Sequence, residues 1–253
     1  MSPPRIVAII QARMNSSRLP GKVLSDLCGQ PVLAWSIRRA GRAELIDEVR
    51  VATTNNSSDD DVVEFCKKIG VKVTRGSEPD VLDRYYQAAN ESKADIVVRL
   101  TGDCPFIDPD MLDENINYFL SADPGIDFAA NRLPGERTIP IGLDAEICTI
   151  AALERAWKDA LLPHQREHVM PYFYENPEQF NIAHIKHEPD YGTHRWTVDS
   201  PEDLAFLQAI CAEIEGDDFS WLEVIELLAA RPDLAEINAS VAHKTQFDVD
   251  KRA

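Results

Sequence analysis

Positive charge is scarce in this 253-residue chain, where 26 lysines and arginines stand against 43 aspartates and glutamates for a formal net charge of −17. A protein that coats DNA or RNA draws on many cations, so nucleic acid is not an expected partner. The five cysteines, Cys28, Cys66, Cys104, Cys148 and Cys211, are odd in number, widely spaced and without a C-x-x-C pair. They read as reduced thiols rather than a disulfide framework. No apolar run approaches the length of a membrane span, and Ile6 to Ile10 is too short for the apolar region of a secretory leader. A cytoplasmic chain with no membrane partner is therefore expected. Low-complexity linkers and internal repeats are also missing. One continuous α/β domain over residues 1–239 follows, with a polar, charged tail at 240–253 that is expected to be poorly ordered.

One further absence is local. The first twenty-five residues contain no aspartate or glutamate, yet hold Arg5, Arg13, Arg18 and Lys22. Three of these cations lie in Gln11-Ala12-Arg13-Met14-Asn15-Ser16-Ser17-Arg18-Leu19-Pro20-Gly21-Lys22, directly after the apolar run. A loop leaving a buried strand can aim backbone N–H groups and cationic side chains at one point, which is how small anions and phosphates are held. Screening over roughly 8–10 Å lets such a loop dominate its own pocket in an acidic chain.

Apolar runs and amphipathic segments then alternate as in β-α-β units. Strands are predicted at Ile6–Gln11, Val49–Thr53, Val71–Thr74 and Ile96–Leu100. Helices are predicted at 31–41, after Asp59-Asp60-Asp61, whose acids suit a first helical turn, and at 79–91. The second half is less regular: a hairpin or loop excursion around 131–142, strands at 144–148, 180–185 and 195–198, and helices at 150–160, 164–175, 201–213 and 220–230. Ser220 reads as an N-cap, and so does Asp108, which precedes Pro109 and an apolar helix.

Two acids fall where the predicted strands end. Asp103 follows Val97-Val98-Arg99-Leu100-Thr101-Gly102, and ligands of open α/β sheets gather outside the carboxyl ends of the strands. A tight Gly-Asp turn is the plain alternative. Asp199 follows Arg195-Trp196-Thr197-Val198 and precedes Ser200-Pro201-Glu202-Asp203, where Ser200 and Asp203 are explained as a helix cap but Asp199 is not. Two such carboxylates can share one Mg²⁺, which needs only a few of them beside water and substrate phosphate. The string His164-Gln165-Arg166-Glu167-His168 also matches the H-x-x-E-H pattern of inverted zinc peptidases, but no distant third ligand accompanies it, and the favoured reading is a helix whose Glu167 and His168 face a polar cavity while His164 sits in its first turn.

Together, QARMNSSRLPGK at 11–22, VVRLTGDCP at 97–105 and RWTVDSPEDL at 195–204 resemble the CTP-dependent cytidylyltransferases that activate acidic sugars. The spore-coat polysaccharide branch is the nearest. Acylneuraminate and 3-deoxy-manno-octulosonate cytidylyltransferases are more distant. ATTN at 52–55, RGSEPDVLDRY at 75–85, GLDAEI at 142–147 and REHV at 166–169 fit the same branch, so the resemblance runs over about residues 5–210. It implies a Rossmann-like nucleotidyltransferase fold, a mostly parallel sheet flanked by helices with a β-rich excursion in the second half. It also implies CMP transfer from CTP to a small anionic acceptor with release of pyrophosphate, Mg²⁺ dependence and a homodimer. The nucleotide-binding part would be about 1–125 and the acceptor and dimerisation part about 126–200.

By the same resemblance Arg13, Arg18 and Lys22 hold the triphosphate, and Gln11 and Ala12 present backbone groups to the nucleotide. Thr53, Thr54, Arg75 and Gly76 line the cytosine and ribose end, with Gly102 also at the nucleotide. Asp103 and Asp199 bind the metal. Asp144, Glu146, Arg166, His168, Arg195 and Trp196 face the acceptor. Two other readings stay open at this point, a nucleotide-sugar-dependent glycosyltransferase and a noncatalytic nucleotide-binding protein.

Overall fold

The computed structural model describes residues 3–242, so residues 243–253 of the expected polar tail lie outside the described residues. Strand β1 (Ile6–Gln11) is apolar at every position but the last, because both of its faces are covered. Ile6, Ala8 and Ile10 enter one core and Val7 and Ile9 the other, all at 3% exposure or less. Continuous rather than alternating hydrophobicity is what a strand buried on both sides requires. The chain continues through α1 (Val32–Ala40), β2 (Glu48–Thr54), α2 (Asp60–Lys68), β3 (Lys72–Gly76), α3 (Val81–Ser92) and β4 (Ile96–Thr101). Then come α4 (Pro109–Ser121), β5 (Phe128–Ala130), β6 (Glu146–Thr149) and α5 (Ile150–Asp159). The short helices α6 (Pro163–His168) and α7 (Pro171–Glu175), strand β7 (Ile182–His184), α8 (Pro201–Glu213), α9 (Trp221–Ala230) and α10 (Pro232–Ala235) follow.

Seven strands make one sheet in the order β7-β5-β6-β4-β1-β2-β3. Strand β1 runs parallel to β2 and β4, β2 to β3, and β5 to β7, while β6 is antiparallel to β4 and β5. Helices α1, α4, α8 and α9 cover one face, where Trp35, Phe106 and Phe219 pack together with ring centroids 5.0–6.4 Å apart. Helices α3 and α5 cover the other with Leu82, Tyr85 and Leu153. From β1 the chain moves to β2 on one side, and from β3 it crosses back to β4 on the other, so the connections diverge between β1 and β4. That divergence opens a crevice at their carboxyl ends. Gly102 N–H donates to Gln11 O at 2.8 Å and ties those two ends together.

Most predicted elements stand within two residues of their expected bounds, and the excursion at 131–142 carries a small hairpin of Arg132–Leu133 against Glu136–Arg137. Two expectations are corrected. The segment 195–198 is not a strand: it makes one isolated bridge, Ile141 to Arg195. The amides of Trp196 and Val198 go instead to the carbonyls of Ile141 and Asp103. The helix expected at 164–175 is two short helices, because Val169 turns to φ 73° and Pro171 has no N–H to continue the ladder. Strand β5 escaped prediction because its three buried residues, Phe128-Ala129-Ala130, are too few for a periodic pattern. Cys104 is buried, and burial pushes its thiol well above the ordinary range.

Candidate active site

The loop after β1 is folded back on itself by its own backbone. Gly21 N–H donates to Met14 O at 2.8 Å and Lys22 N–H to Leu19 O at 3.2 Å, and Gly21 sits at φ 74°, where a side chain would be strained. Asp59, 1% exposed, anchors the same loop by accepting from Met14 N–H at 2.7 Å and from the Thr54 hydroxyl. These constraints deliver Lys22 to the crevice. Its Nζ donates to Asp103 Oδ2 at 2.5 Å and to Asp199 Oδ1 at 2.7 Å, joining the β1 loop, the end of β4 and the approach to α8.

Asp199 is further held by Arg18 Nη2 at 3.0 Å and Arg195 Nη2 at 2.8 Å. Arg195 is itself gripped by Asp203, with Nε to Oδ1 at 2.9 Å and Nη2 to Oδ2 at 3.0 Å. Asp203 is fully buried and accepts from the amides of Asp199 and Ser200, while Ser200 Oγ accepts from Asp203 N–H at 3.2 Å. The capping box of α8 thus also positions Asp199, through Arg195. Burial alone would lower the Lys22 pKa, but the Asp103 and Asp199 carboxylates outweigh it and raise the value. Burial would likewise raise Asp199, yet Lys22, Arg18 and Arg195 hold its carboxyl well below the usual range.

These groups open onto a cavity of about 320 Å³ whose wall includes Gln11, Ala12, Arg13, Arg18, Lys22, Asp103 and Asp199. Arg13 reaches Glu78 at 3.4 Å from the same wall. Among the acceptor residues expected from sequence, Glu146 and His168 line the cavity and the others do not. Trp196 is fully buried, Asp144 pairs with Arg137, and Arg166 pairs with Asp80 at 2.6 Å. Arg195 is engaged behind Asp199. Of the nucleotide residues, Thr53 and Thr54 are buried, and Arg75 spans Thr54 O, Asn56 O and Asp60. Neither these nor Gly76 and Gly102 belong to the wall. Gly76 lies against Arg84, whose Cγ would stand 2.6 Å from an added Cβ, and Arg84 lines the cavity in its place.

Sequence reasoning missed Arg84, Arg99, Arg132 and Tyr174 on the wall, and Asp59 and Asp203 behind it. The signal available for Asp203 was the S-x-x-D cap. For Arg99 it was a lone cation inside an apolar strand, which a buried sheet tolerates only with a partner, here Glu146 directly across from it on β6. The H-x-x-E-H residues diverge, since His164 Nε2 meets Glu175 Oε1 at 2.8 Å whereas His168 faces the cavity. Among the described residues no group of three or more His, Cys, Asp or Glu side chains gathers as a metal site. Asp103 and Asp199 are two hard oxygen donors converging on one point, and that donor set fits Mg²⁺ completed by phosphate and water. The arrangement can hold a polyphosphate and neutralise charge growing on it.

The chain is similar to known proteins along most of its length. Residues 7–218 match the family model described as cytidylyltransferase. The chain is 35% identical over 243 residues to the spore coat polysaccharide biosynthesis protein SpsF of Bacillus subtilis, covering 91% of this chain and 96% of that one. It is 39% identical over 113 residues to the 3-deoxy-manno-octulosonate cytidylyltransferase of Geobacter sulfurreducens, 44% of each chain. A cytidylyltransferase structure from Leptospira borgpetersenii superposes with a TM-score of 0.89 at 36% identity, covering 95% of this chain and 100% of that one. Among the described residues no helix is long and apolar enough to cross a membrane.

Proposed function

Because this chain belongs to the cytidylyltransferase family, we propose that it transfers CMP from CTP to an acidic acceptor, a sugar acid or a small phosphonate or phosphate, releasing pyrophosphate. The observation that carries this reading is the convergence of Lys22 on Asp103 and Asp199 at the switch point of the sheet. An acceptor oxygen attacks the α-phosphorus in line, the bond to the bridging oxygen breaks, and negative charge grows on the leaving pyrophosphate. Arg13, Arg18 and Lys22 bind the triphosphate and stabilise that charge, and preorganised cations in a partly dehydrated site are strong at this task. Backbone groups of Gln11 and Ala12 orient the nucleotide. Asp103 and Asp199 would hold Mg²⁺, which supplies Lewis-acid neutralisation of the phosphate oxygens. The chain's named relatives act in spore coat polysaccharide biosynthesis and on 3-deoxy-manno-octulosonate, and these support an acidic sugar acceptor. A cytoplasmic homodimer belongs to the same reading.

A pyrophosphate-release screen of the four nucleoside triphosphates against sugar acids and phosphonates, with and without Mg²⁺, tests it. Release is expected only with CTP, Mg²⁺ and an acidic acceptor together, and Asp103→Ala should abolish it. Turnover with another triphosphate but not CTP overturns the nucleotide assignment, and normal turnover of Asp103→Ala overturns the metal assignment.

A further inference from the structure

Asp199 hangs from a stretch of chain with few backbone bonds of its own. Residues 195–198 make one isolated bridge rather than a ladder. That bridge uses His194 O, which accepts from Ile141 N–H at 2.9 Å, and Trp196 N–H, which donates to Ile141 O. It leaves the carbonyl of Arg195, a residue 9% exposed, to find a donor elsewhere. A buried carbonyl without a donor is costly, and folded chains pair nearly all of them.

The donor comes from near the end of the described chain. Asn238, 6% exposed, donates from Nδ2 to Arg195 O at 3.1 Å and to Asp203 Oδ1 at 3.1 Å. One amide nitrogen therefore uses both hydrogens on the two groups that locate Arg195, its own carbonyl and the carboxylate that grips its guanidinium. The orientation is forced, because turning the amide over would set its oxygen against a carbonyl and a carboxylate, three acceptors with no proton between them. Asp203 in turn accepts from Asp199 N–H at 3.0 Å, and Arg195 Nη2 reaches Asp199 Oδ2 at 2.8 Å. Asn238 thus bears on Asp199 at its backbone and at its carboxylate.

Residues 219–242 lie beyond the stretch matched by the family model, 7–218, yet they are tied back to the domain at several points. Arg39 Nη2 donates to Phe219 O at 2.8 Å, and Trp221 N–H to Asp108 Oδ2 at 2.8 Å. Arg231 pairs with Glu213 of α8 at 2.8 Å, and Leu234 is buried in the same core as Leu207 and Ile210 of that helix. Turn bonds from Ile237 N–H to Leu234 O at 3.2 Å and from Val241 N–H to Asn238 O at 3.0 Å hold the backbone around Asn238. None of these uses the Asn238 side chain, so truncating it leaves the segment docked.

We propose that Asn238 is a positioning residue for Asp199, and that the segment after α9 completes the acidic end of the site from outside the family-matched stretch. This inference rests on the cytidylyl-transfer reading, in which Asp199 holds the metal, and adds to it a residue that is not on the cavity wall.

Calorimetric titration of the full chain with a non-hydrolysable CTP analogue, once with Mn²⁺ and once with EDTA, tests it. Partners directly behind a metal ligand are worth about 10–100-fold in metal affinity, and Asn238 stands one hydrogen bond further back, so Asn238→Ala should weaken binding with Mn²⁺ by about fivefold. Binding in EDTA, which relies on Arg13, Arg18 and Lys22, should stay within about twofold, a split that a general structural defect would not produce. Asn238→Asp keeps the size of the side chain but replaces both donors with a carboxylate facing Asp203, so it should weaken Mn²⁺-dependent binding more than Asn238→Ala does. A side chain that only filled space would give the opposite order. In metal-free urea unfolding, the losses from Asn238→Ala and Asp199→Asn should be non-additive, as expected of residues in one network. Undiminished binding, equal losses with Mn²⁺ and EDTA, the opposite order of the two variants, or additive destabilisation overturns the inference. A parent chain that binds the analogue no more tightly with Mn²⁺ than with EDTA sinks the metal role of Asp199 instead, and the unfolding cycle then decides alone whether Asn238 positions that carboxylate.

Discussion

Replacing Lys22 by methionine keeps the length of the side chain and removes the ammonium that Asp103 and Asp199 share. Asp199 retains Arg18 at 3.0 Å and Arg195 at 2.8 Å, whereas Asp103 loses its ion-pair partner. Both carboxylates approach the same nitrogen within hydrogen-bond distance, so their oxygens lie no more than about 5 Å apart and repel by about 3 kcal/mol at an effective dielectric near 20. That agrees with the roughly 3–5 kcal/mol expected when one partner of a buried ion pair is deleted, discounted for the partial exposure of the two acids. Urea unfolding at pH 7 should therefore show Lys22→Met less stable by about 2–3 kcal/mol with an unchanged slope. Mn²⁺ should recover much of the loss, because a saturating ligand at 100 times its dissociation constant adds about 2.7 kcal/mol. A variant within about 0.5 kcal/mol of the parent, or one indifferent to Mn²⁺, would refute the idea that Lys22 is the structural counterion of the two acids.

Stability should be level from about pH 5 to pH 10 as far as this cluster decides it. Asp199 has a folded pKa below its unfolded value of about 3.9, so its contribution is complete above that value and disappears as pH falls towards the folded one. Lys22 has a folded pKa above its unfolded value of about 10.4, so its contribution holds below that value and disappears only as pH rises through the folded one. Unfolding midpoints between pH 3 and pH 11 check both limbs, and Lys22→Met should shrink each. Gly142→Ala places a Cβ at φ 108° and 2.6 Å from Trp196 O. Thermal denaturation should show a loss of about 1–3 kcal/mol, and an unchanged melting temperature would mean that the 140–142 turn is free to move.

What the sequence made legible was whatever leaves a local trace. Strand β1 and the loop behind it were readable because five apolar residues and three cations are adjacent, and the role of Ser200 and Asp203 as a helix cap was readable from their spacing. The far side of the cavity was not. Arg132 sits in a two-residue strand, His168 at the end of a six-residue helix, and Tyr174 in a five-residue one, all too short for a periodic signal. Arg166 stood beside His168 in the same string, but only the fold shows that it turns to Asp80 while His168 faces the cavity. Thr54, Arg75 and Gly76 lie in β2 and β3, where Thr54 holds Asp59, Arg75 spans Thr54 O, Asn56 O and Asp60, and Gly76 packs on Arg84, while Thr53 is buried in β2, placements that no pattern within the string could reveal.

On the proposed function, the counterion arrangement also explains how an acidic chain can keep a polyanion site ready. Arg18, Lys22 and Arg195 interleave with Asp103, Asp199 and Asp203, so each charge has a partner and little is left to repel its neighbours. On the proposed reaction, a nucleoside triphosphate brings both an anion for Lys22 and Arg18 and, with its metal, a cation for the two acids. Partners are then exchanged rather than created, and no buried charge need stand alone, the condition that makes isolated buried ions so unfavourable. Arg195 alone is excluded from that exchange, because Asp203 grips it from within the core. It therefore keeps Asp199 in place while Lys22 changes partner, which is why the residue behind the acid matters as much to the site as the lysine in front of it.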